Sequence, residues 1–162
     1  LFEEIESSGK DLNLKFYGAR ALMSLRLEKN WGAWTLDFRP DFTAAESGLD
    51  IFINWNKDFV GKEASLKEKK QGIKKKLVAM VIDTIDIDVT NDEAILKNNK
   101  CVGYITSGGY AHHSKKSMAL GYVPIELSKH QTSLDIEING KLFKAQITDK
   151  PLYDANGGKM KS

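Results

Sequence analysis

The stretch Leu134-Asp135-Ile136-Glu137-Ile138-Asn139-Gly140-Lys141-Leu142-Phe143-Lys144-Ala145-Gln146-Ile147 reads as two strands joined by a two-residue turn. Asn-Gly is a strong short hairpin signal, because a tight primed turn needs positive φ at both central residues. Working outward from it, Leu77–Ile82, Ala94–Leu96, Cys101–Thr106 and Met118–Pro124 have the same strand character, and Asn98-Asn99-Lys100 separates another pair. Short strands spaced this closely predict a small antiparallel barrel or sandwich from residue 73 onward. Gly157-Gly158-Lys159-Met160-Lys161-Ser162 reads as a fraying tail.

The first 72 residues carry a different signal. Residues 1–9 look like the last turns of a helix with Leu1, Phe2 and Ile5 on one face, ended by Ser7-Ser8-Gly9. Asp11 to Tyr17 alternates with period two, which predicts a strand leading to Gly18. Ala19 to Lys29 predicts a helix, with Ala21, Leu22, Leu25 and Glu28 sharing a face. Trp31-Gly32-Ala33-Trp34 interrupts it, and Pro40 supports a loop from about 35 to 45. Asp50–Trp55 is strand-like, and Phe59 to Lys69 can form a short amphipathic helix. Six lysines then crowd between Lys67 and Lys76 around Gly72, with almost nothing to bury, which places a domain boundary between residues 72 and 73.

Composition excludes several classes. The chain has 162 residues and a formal net charge of +2, too small to argue for nucleic acid without a concentrated patch. The longest apolar run, Leu77–Ile82, is far short of the roughly 20 residues that span a bilayer. The acidic start, Leu1-Phe2-Glu3-Glu4, lacks the basic and apolar regions of a signal peptide. Cys101 is the one cysteine, so an internal disulfide or Cys-based zinc cluster is excluded and a reducing, cytoplasmic compartment is expected. Neither membrane nor nucleic acid is expected as a partner.

Most chemical motifs have a plain explanation. His112-His113 sits in a polar loop, and adjacent residues rarely share a metal because they point apart, so no metal site is expected. Ser107-Gly108-Gly109 lacks phosphate-loop spacing and reads as a structural turn. The lysine run has no interleaved aromatics for stacking bases and reads as a solvated linker face. Cys101 reads as an inert, partly buried thiol.

The arginines say more. Only Arg20, Arg26 and Arg39 stand among 24 basic residues. Arg offers a planar bidentate fork that lysine cannot imitate. Arg26, flanked by Leu25 and Leu27, is expected to be partly buried and to need a carboxylate partner. A nearby acid of its own helix and the carboxylate of a ligand both satisfy that need. Trp31, Trp34 and Phe38 just beyond would suit a flat heterocycle, or simply pack a core.

Five collinear segments resemble the glycine-cleavage T-protein (aminomethyltransferase) family. Gly18-Ala19-Arg20-Ala21-Leu22-Met23-Ser24-Leu25-Arg26-Leu27-Glu28-Lys29 looks like its helix, Thr43-Ala44-Ala45-Glu46-Ser47-Gly48-Leu49 like its T-P-L-E-A-G-L element, and Lys57-Asp58-Phe59-Val60-Gly61-Lys62-Glu63-Ala64 like its D-F-I-G-(R/K)-E-A-L segment. Gly103-Tyr104-Ile105-Thr106-Ser107-Gly108-Gly109 and Met118-Ala119-Leu120-Gly121-Tyr122-Val123-Pro124 are similar to its V-T-S-G and I-A-L-G-Y-V elements. Leu25 to Lys29 followed by Trp31-Gly32-Ala33-Trp34, and the ending Pro151-Leu152-Tyr153-Asp154, look most like the dimethylglycine and sarcosine dehydrogenase branch.

The resemblance implies an α+β chain: the C-terminal end of a folate-binding α+β domain over residues 1–72, then a small antiparallel β-barrel over 73–162. It implies tetrahydrofolate as cofactor, a small methylated amine or aminomethyl donor as substrate, and transfer of a one-carbon unit from donor to folate. Arg26, Trp34 and Tyr153 fall on the family's folate-binding positions; Trp34 replaces the tyrosine of a Y-G step, and Thr43-Ala44-Ala45-Glu46 lacks the usual proline. The family's catalytic aspartate and pterin-reading acid belong upstream of the Arg26 helix, so no catalytic residue is assigned here. FAD is expected only in an upstream domain not present in this chain. The chain is then a C-terminal fragment or subunit, silent without the rest of its parent polypeptide or a partner subunit. A non-catalytic folate-binding or scaffold relative, and a flavin-free folate-dependent demethylase, are the alternatives.

Overall fold

In the computed structural model, which describes residues 1–161, all six strands expected from residue 73 onward are present: β1 (Lys75–Ile82), β2 (Ala94–Lys97), β3 (Lys100–Ala111), β4 (Lys116–Pro124), β5 (Ser133–Ile138) and β6 (Lys141–Thr148). They close into a barrel in the order β1-β4-β3-β2-β5-β6, every neighbouring pair antiparallel, with β6 pairing back onto β1. Closure removes the sheet edges that a sandwich would have left open. The turn residues justify the two short hairpins. Asn98 and Asn99 have φ of 52° and 60°, Asn139 and Gly140 have 50° and 74°, and Asn and Gly enter that region most easily.

Alternation along the strands separates two apolar layers. Val78, Met80, Ile82, Ile95, Ile105, Ala119, Val123, Leu134, Ile136, Ile138, Ala145 and Ile147 fill the barrel interior together with Val89. Ala79, Ala111, Met118 and Leu120 face outward and meet Leu27, with Leu77 and Leu152 at the margin. Close backbone approach fixes two glycines. A Cβ on Gly103 would stand 1.9 Å from the Tyr122 carbonyl oxygen, and one on Gly108 would stand 2.6 Å from that of Val89. Ser107-Gly108-Gly109 therefore belongs to strand β3 and not to the turn expected from sequence.

Four helices complete the chain: α1 (Phe2–Gly9), α2 (Ala19–Glu28), α3 (Lys62–Gln71) and the short α4 (Gly158–Lys161). The last of these occupies most of the expected tail; Ser162, its final residue, lies outside the described residues. α3 starts later than expected because Gly61 has φ of 88°, which no helix accommodates, and it ends at Gly72, with φ of 83°. Neither strand expected between residues 1 and 72 forms. Lys10–Leu12 is a 3₁₀ turn closed by left-handed Asn13, and Asp50–Phe52 is another. A strand needs a neighbour to take its backbone hydrogen bonds, and neither segment pairs with one; the alternating residues Leu12, Leu14 and Phe16 stand exposed.

α2 also turns differently from its apolar pattern. Leu22 and Leu25 are exposed, while Leu27 and Glu28 are buried against the barrel. Lys67, Lys69, Lys70, Lys74, Lys75 and Lys76 are exposed, the first three within α3, with Lys69 lying over the Trp55 ring and Lys75 over Phe42. Cys101 is exposed, not partly buried, because it heads the outer side of the β2–β3 hairpin. No helix among the described residues is long and apolar enough to cross a membrane.

Candidate functional site

Leu25-Arg26-Leu27-Glu28 joins α2 to the barrel. Leu27 enters the outer apolar layer. Glu28, 1% exposed, accepts from the backbone N–H groups of His113 (2.8 Å) and Ser114 (3.4 Å) and from the Ser114 hydroxyl (3.1 Å). The His112-His113 loop is thus held by its backbone, with both rings at the surface.

Arg26 points the other way and is nearly buried, its side chain 9% exposed. Its Nη1 donates to Asp37 Oδ2 (2.9 Å) and to the Trp31 carbonyl (3.2 Å), its Nη2 to Ser107 Oγ (2.8 Å), and its Nε to Met23 Sδ (3.0 Å). The required carboxylate partner is therefore Asp37, from a neighbouring loop and not from α2 itself. Sequence reading missed Asp37. Only its pairing with Arg26 was open to inference, since Asp37 is the first acid after Glu28, and Glu28, two residues from Arg26 on a helix, faces nearly the opposite side.

Asp37 is fully buried. Besides Arg26, its carboxylate accepts from the Ala33 N–H (2.7 Å), the Ser107 hydroxyl (2.9 Å) and the Thr106 hydroxyl (2.5 Å). Adjacent strand residues normally point to opposite faces. A bulge in β3 lets both reach one carboxylate: Ile105 pairs with Gly121 and Ser107 with Leu120, leaving Thr106 as the extra residue. The Asp37 carbonyl accepts from the Tyr122 phenol at 3.0 Å. Burial, with smaller contributions from the charges of Asp37 and Glu46, pushes that phenol up to about 12 against a weaker opposing hydrogen bond from Ser47.

Over this network lies a groove of about 650 Å³ lined by Leu22, Met23, Arg26, Trp31, Trp34, Phe38 and Phe52 among others. Trp31 meets Phe38 and Phe52 edge to face, and Trp34 meets Phe38 the same way at 5.8 Å between centroids. Trp34 is 77% exposed. Arg26 is the one ionisable side chain on the groove wall among the described residues. The groove can stack a flat ring and offer a guanidinium N–H to a ligand. Of the five guanidinium N–H groups, four are engaged and one, on Nη2, remains.

The structure thus unites Arg26 and Trp34 and leaves Tyr153 elsewhere. Tyr153 sits at the C-terminal end of α2, its N–H donating to the Glu28 carbonyl at 3.2 Å and its ring edge-to-face with His113 at 4.6 Å. No group of three or more His, Cys, Asp or Glu residues is arranged to hold a metal ion among the described residues.

Comparison with known proteins adds an independent line. Residues 75–154 match the model of the glycine cleavage T-protein C-terminal barrel domain, and residues 1–57 match that of the GCVT N-terminal domain. Mitochondrial dimethylglycine dehydrogenase of Homo sapiens is 38% identical over 154 residues, 94% of this chain and 18% of that protein. An aminomethyltransferase of Caldanaerobacter subterraneus is 34% identical over 157 residues, 96% of this chain and 42% of that protein. The crystal structure of glycine cleavage system aminomethyltransferase T from Bartonella henselae superposes with a TM-score of 0.86 at 24% identity, over 95% of this chain and 44% of that one. At that identity the likeness speaks for the fold. The chain spans less than half the length of each of these relatives.

Proposed function

Because the chain belongs to the glycine cleavage T-protein family, we propose that it forms the Arg26–Trp34 wall of the folate site in a tetrahydrofolate-dependent one-carbon transferase of the dimethylglycine or sarcosine dehydrogenase type. Residues 1–72 are assigned to the folate-binding domain and 73–162 to the barrel. The observation that carries this reading is the exposed Trp34 indole beside Arg26 in an otherwise apolar groove. Folate combines a flat pterin and a benzoyl ring with a carboxylate tail, and these residues suit it: aromatic faces for stacking and one guanidinium N–H for an anionic oxygen. Tetrahydrofolate supplies the nitrogens that accept the one-carbon unit released from an N-methyl or aminomethyl donor. The groove binds and orients; the acid–base groups, the small amine and any FAD chemistry are assigned to other parts of the parent polypeptide or to a partner subunit. The sole cysteine, Cys101, supports a reducing, cytoplasmic setting.

Titration calorimetry with 5-formyltetrahydrofolate, a stable reduced folate, tests the reading. The wild-type chain should bind it, and Trp34→Ala should weaken binding at least tenfold at an unchanged melting temperature, because the ring is exposed. No binding at millimolar ligand, or equal binding by Trp34→Ala, would overturn it. A non-catalytic folate-binding or scaffold role is favoured by one feature, the lack of any ionisable wall residue other than Arg26 among those described. Arg26→Ala cannot separate the two readings, since it also strands Asp37 in the interior. Turnover by the parent enzyme with Trp34→Ala can: a fall in folate-dependent rate supports transfer, and an unchanged rate supports the scaffold.

A further inference from the structure

We propose that Asp37 is the positioning residue of the groove, gripped by the β3 bulge so that Trp34 is held ready to stack on a ligand; as a claim about ligand binding, this rests on the folate reading above. The loop from Ala33 to Asp37 is closed twice by the same residue. Ala33 N–H donates to Asp37 Oδ2 at 2.7 Å, and Asp37 N–H donates back to the Ala33 carbonyl at 2.9 Å. Trp34 is inside that closed loop, and so is Thr35, whose φ of 68° is an outlier for a β-branched residue. A conformation of that kind persists only when its surroundings over-determine it.

The carboxylate supplies that determination. Oδ1 accepts from Thr106, and Oδ2 accepts from Arg26, Ala33 and Ser107. Arg26 Nη2 also donates to Ser107 Oγ, so Arg26, Asp37 and Ser107 form a closed ring of hydrogen bonds. Without the bulge, only one of Thr106 and Ser107 could face the loop. The hydroxyls of the barrel and the guanidinium of α2 therefore meet at one atom group, and that group sets where the Trp34 backbone stands. Arg26 acts mainly through Asp37, with one N–H left over for a ligand.

The test uses the chain labelled with 5-fluorotryptophan, its Trp34 resonance assigned by Trp34→Phe, and 5-formyltetrahydrofolate as probe. Asp37→Asn presents an NH₂ group to buried donors and can fail to fold, so Thr106→Val and Ser107→Ala carry the test. In both variants the Trp34 ¹⁹F line should shift and broaden while that of Trp55 stays put, and Kd should rise at least fivefold with the melting temperature within a few degrees of wild type. An unchanged Trp34 line overturns the proposal. So does a moved line with unchanged Kd, or loss of the whole fold in both variants, which would make the network purely structural. If the wild type binds no folate yet the Trp34 line moves as expected, the folate reading falls and the positioning of Trp34 by Asp37 stands.

Discussion

The hydroxyl of Ser47 and the phenol of Tyr122 lie 2.7 Å apart, joining the loop before Leu49 to the barrel strand β4. Tyr122 has one proton, and it goes to the Asp37 carbonyl, so Ser47 is the donor in this contact. Phe42 stacks on the same ring at 3.4 Å between centroids. Tyr122 thus adds a tie between the first 72 residues and the barrel to those made by Asp37, Leu27 and Glu28.

The raised phenol makes this tie alkali-sensitive. With a folded-state value of about 12 against about 10 when unfolded, the folded form holds its proton more tightly. The stabilisation is complete below pH 10 and is lost as pH rises from 10 toward 12. Tyr122→Phe should cost about 1 kcal/mol at pH 7 through the missing hydrogen bonds. Urea denaturation repeated at pH 7, 10 and 11 should show the gap between wild type and variant shrinking. Parallel stability curves would contradict the assignment.

Glu28 makes a separate prediction. Replacing it with Gln leaves one acceptor oxygen for three donors at His113 and Ser114, a buried deficit of about 1–3 kcal/mol. Amide hydrogen exchange at 113 and 114 should accelerate in Glu28→Gln, while the Trp34 signals stay as in wild type. Exchange unchanged at both amides would show that the loop is held by something other than the carboxylate.

The barrel was legible because each of its strands carries its own evidence. Asn98-Asn99 and Asn139-Gly140 announce tight turns, and the strand segments between the turn signals are rich in β-branched and aliphatic residues. The same rule misread Asp11–Tyr17, since an alternating pattern records only spacing and a strand also needs a partner. At the site, Arg26 and Trp34 stood out by residue type, but Asp37 did not. Its importance comes from the bulge at Thr106, and nothing in Ile105-Thr106-Ser107 signals that two adjacent hydroxyls face the same way. A one-residue slip in pairing is a property of the assembled sheet, so no local reading could supply it.

Two glycines offer a matched comparison. Gly103→Ala puts a methyl group against backbone, 1.9 Å from the Tyr122 oxygen, so β3 and β4 must separate at the end of their ladder, next to the Tyr104–Tyr122 pair, with an expected cost of about 3 kcal/mol or more. Gly18→Ala meets nothing within 4 Å and sits in extended backbone before α2, so its effect should stay within about 0.5 kcal/mol. Chemical denaturation of the pair checks both values. A mild Gly103→Ala would mean that the strands tolerate a wider spacing than the structure shows.

The proposed division between residues 72 and 73 can be tested by cutting the chain there. Exposed Lys70 and Lys74 flank Gly72 and offer trypsin its sites. The two pieces should nevertheless remain together, because α2 stays bolted to the barrel through Leu27 in the outer apolar layer, Glu28 on the 113–114 amides and the Arg26–Asp37–Ser107 ring. Leu27→Ala removes the apolar part of that seam at a cost of about 2–5 kcal/mol. Nicked wild type should therefore elute from size exclusion as one species, and nicked Leu27→Ala as two. Separation of the wild-type pieces would place the strength of the association in the covalent linker, not in the seam.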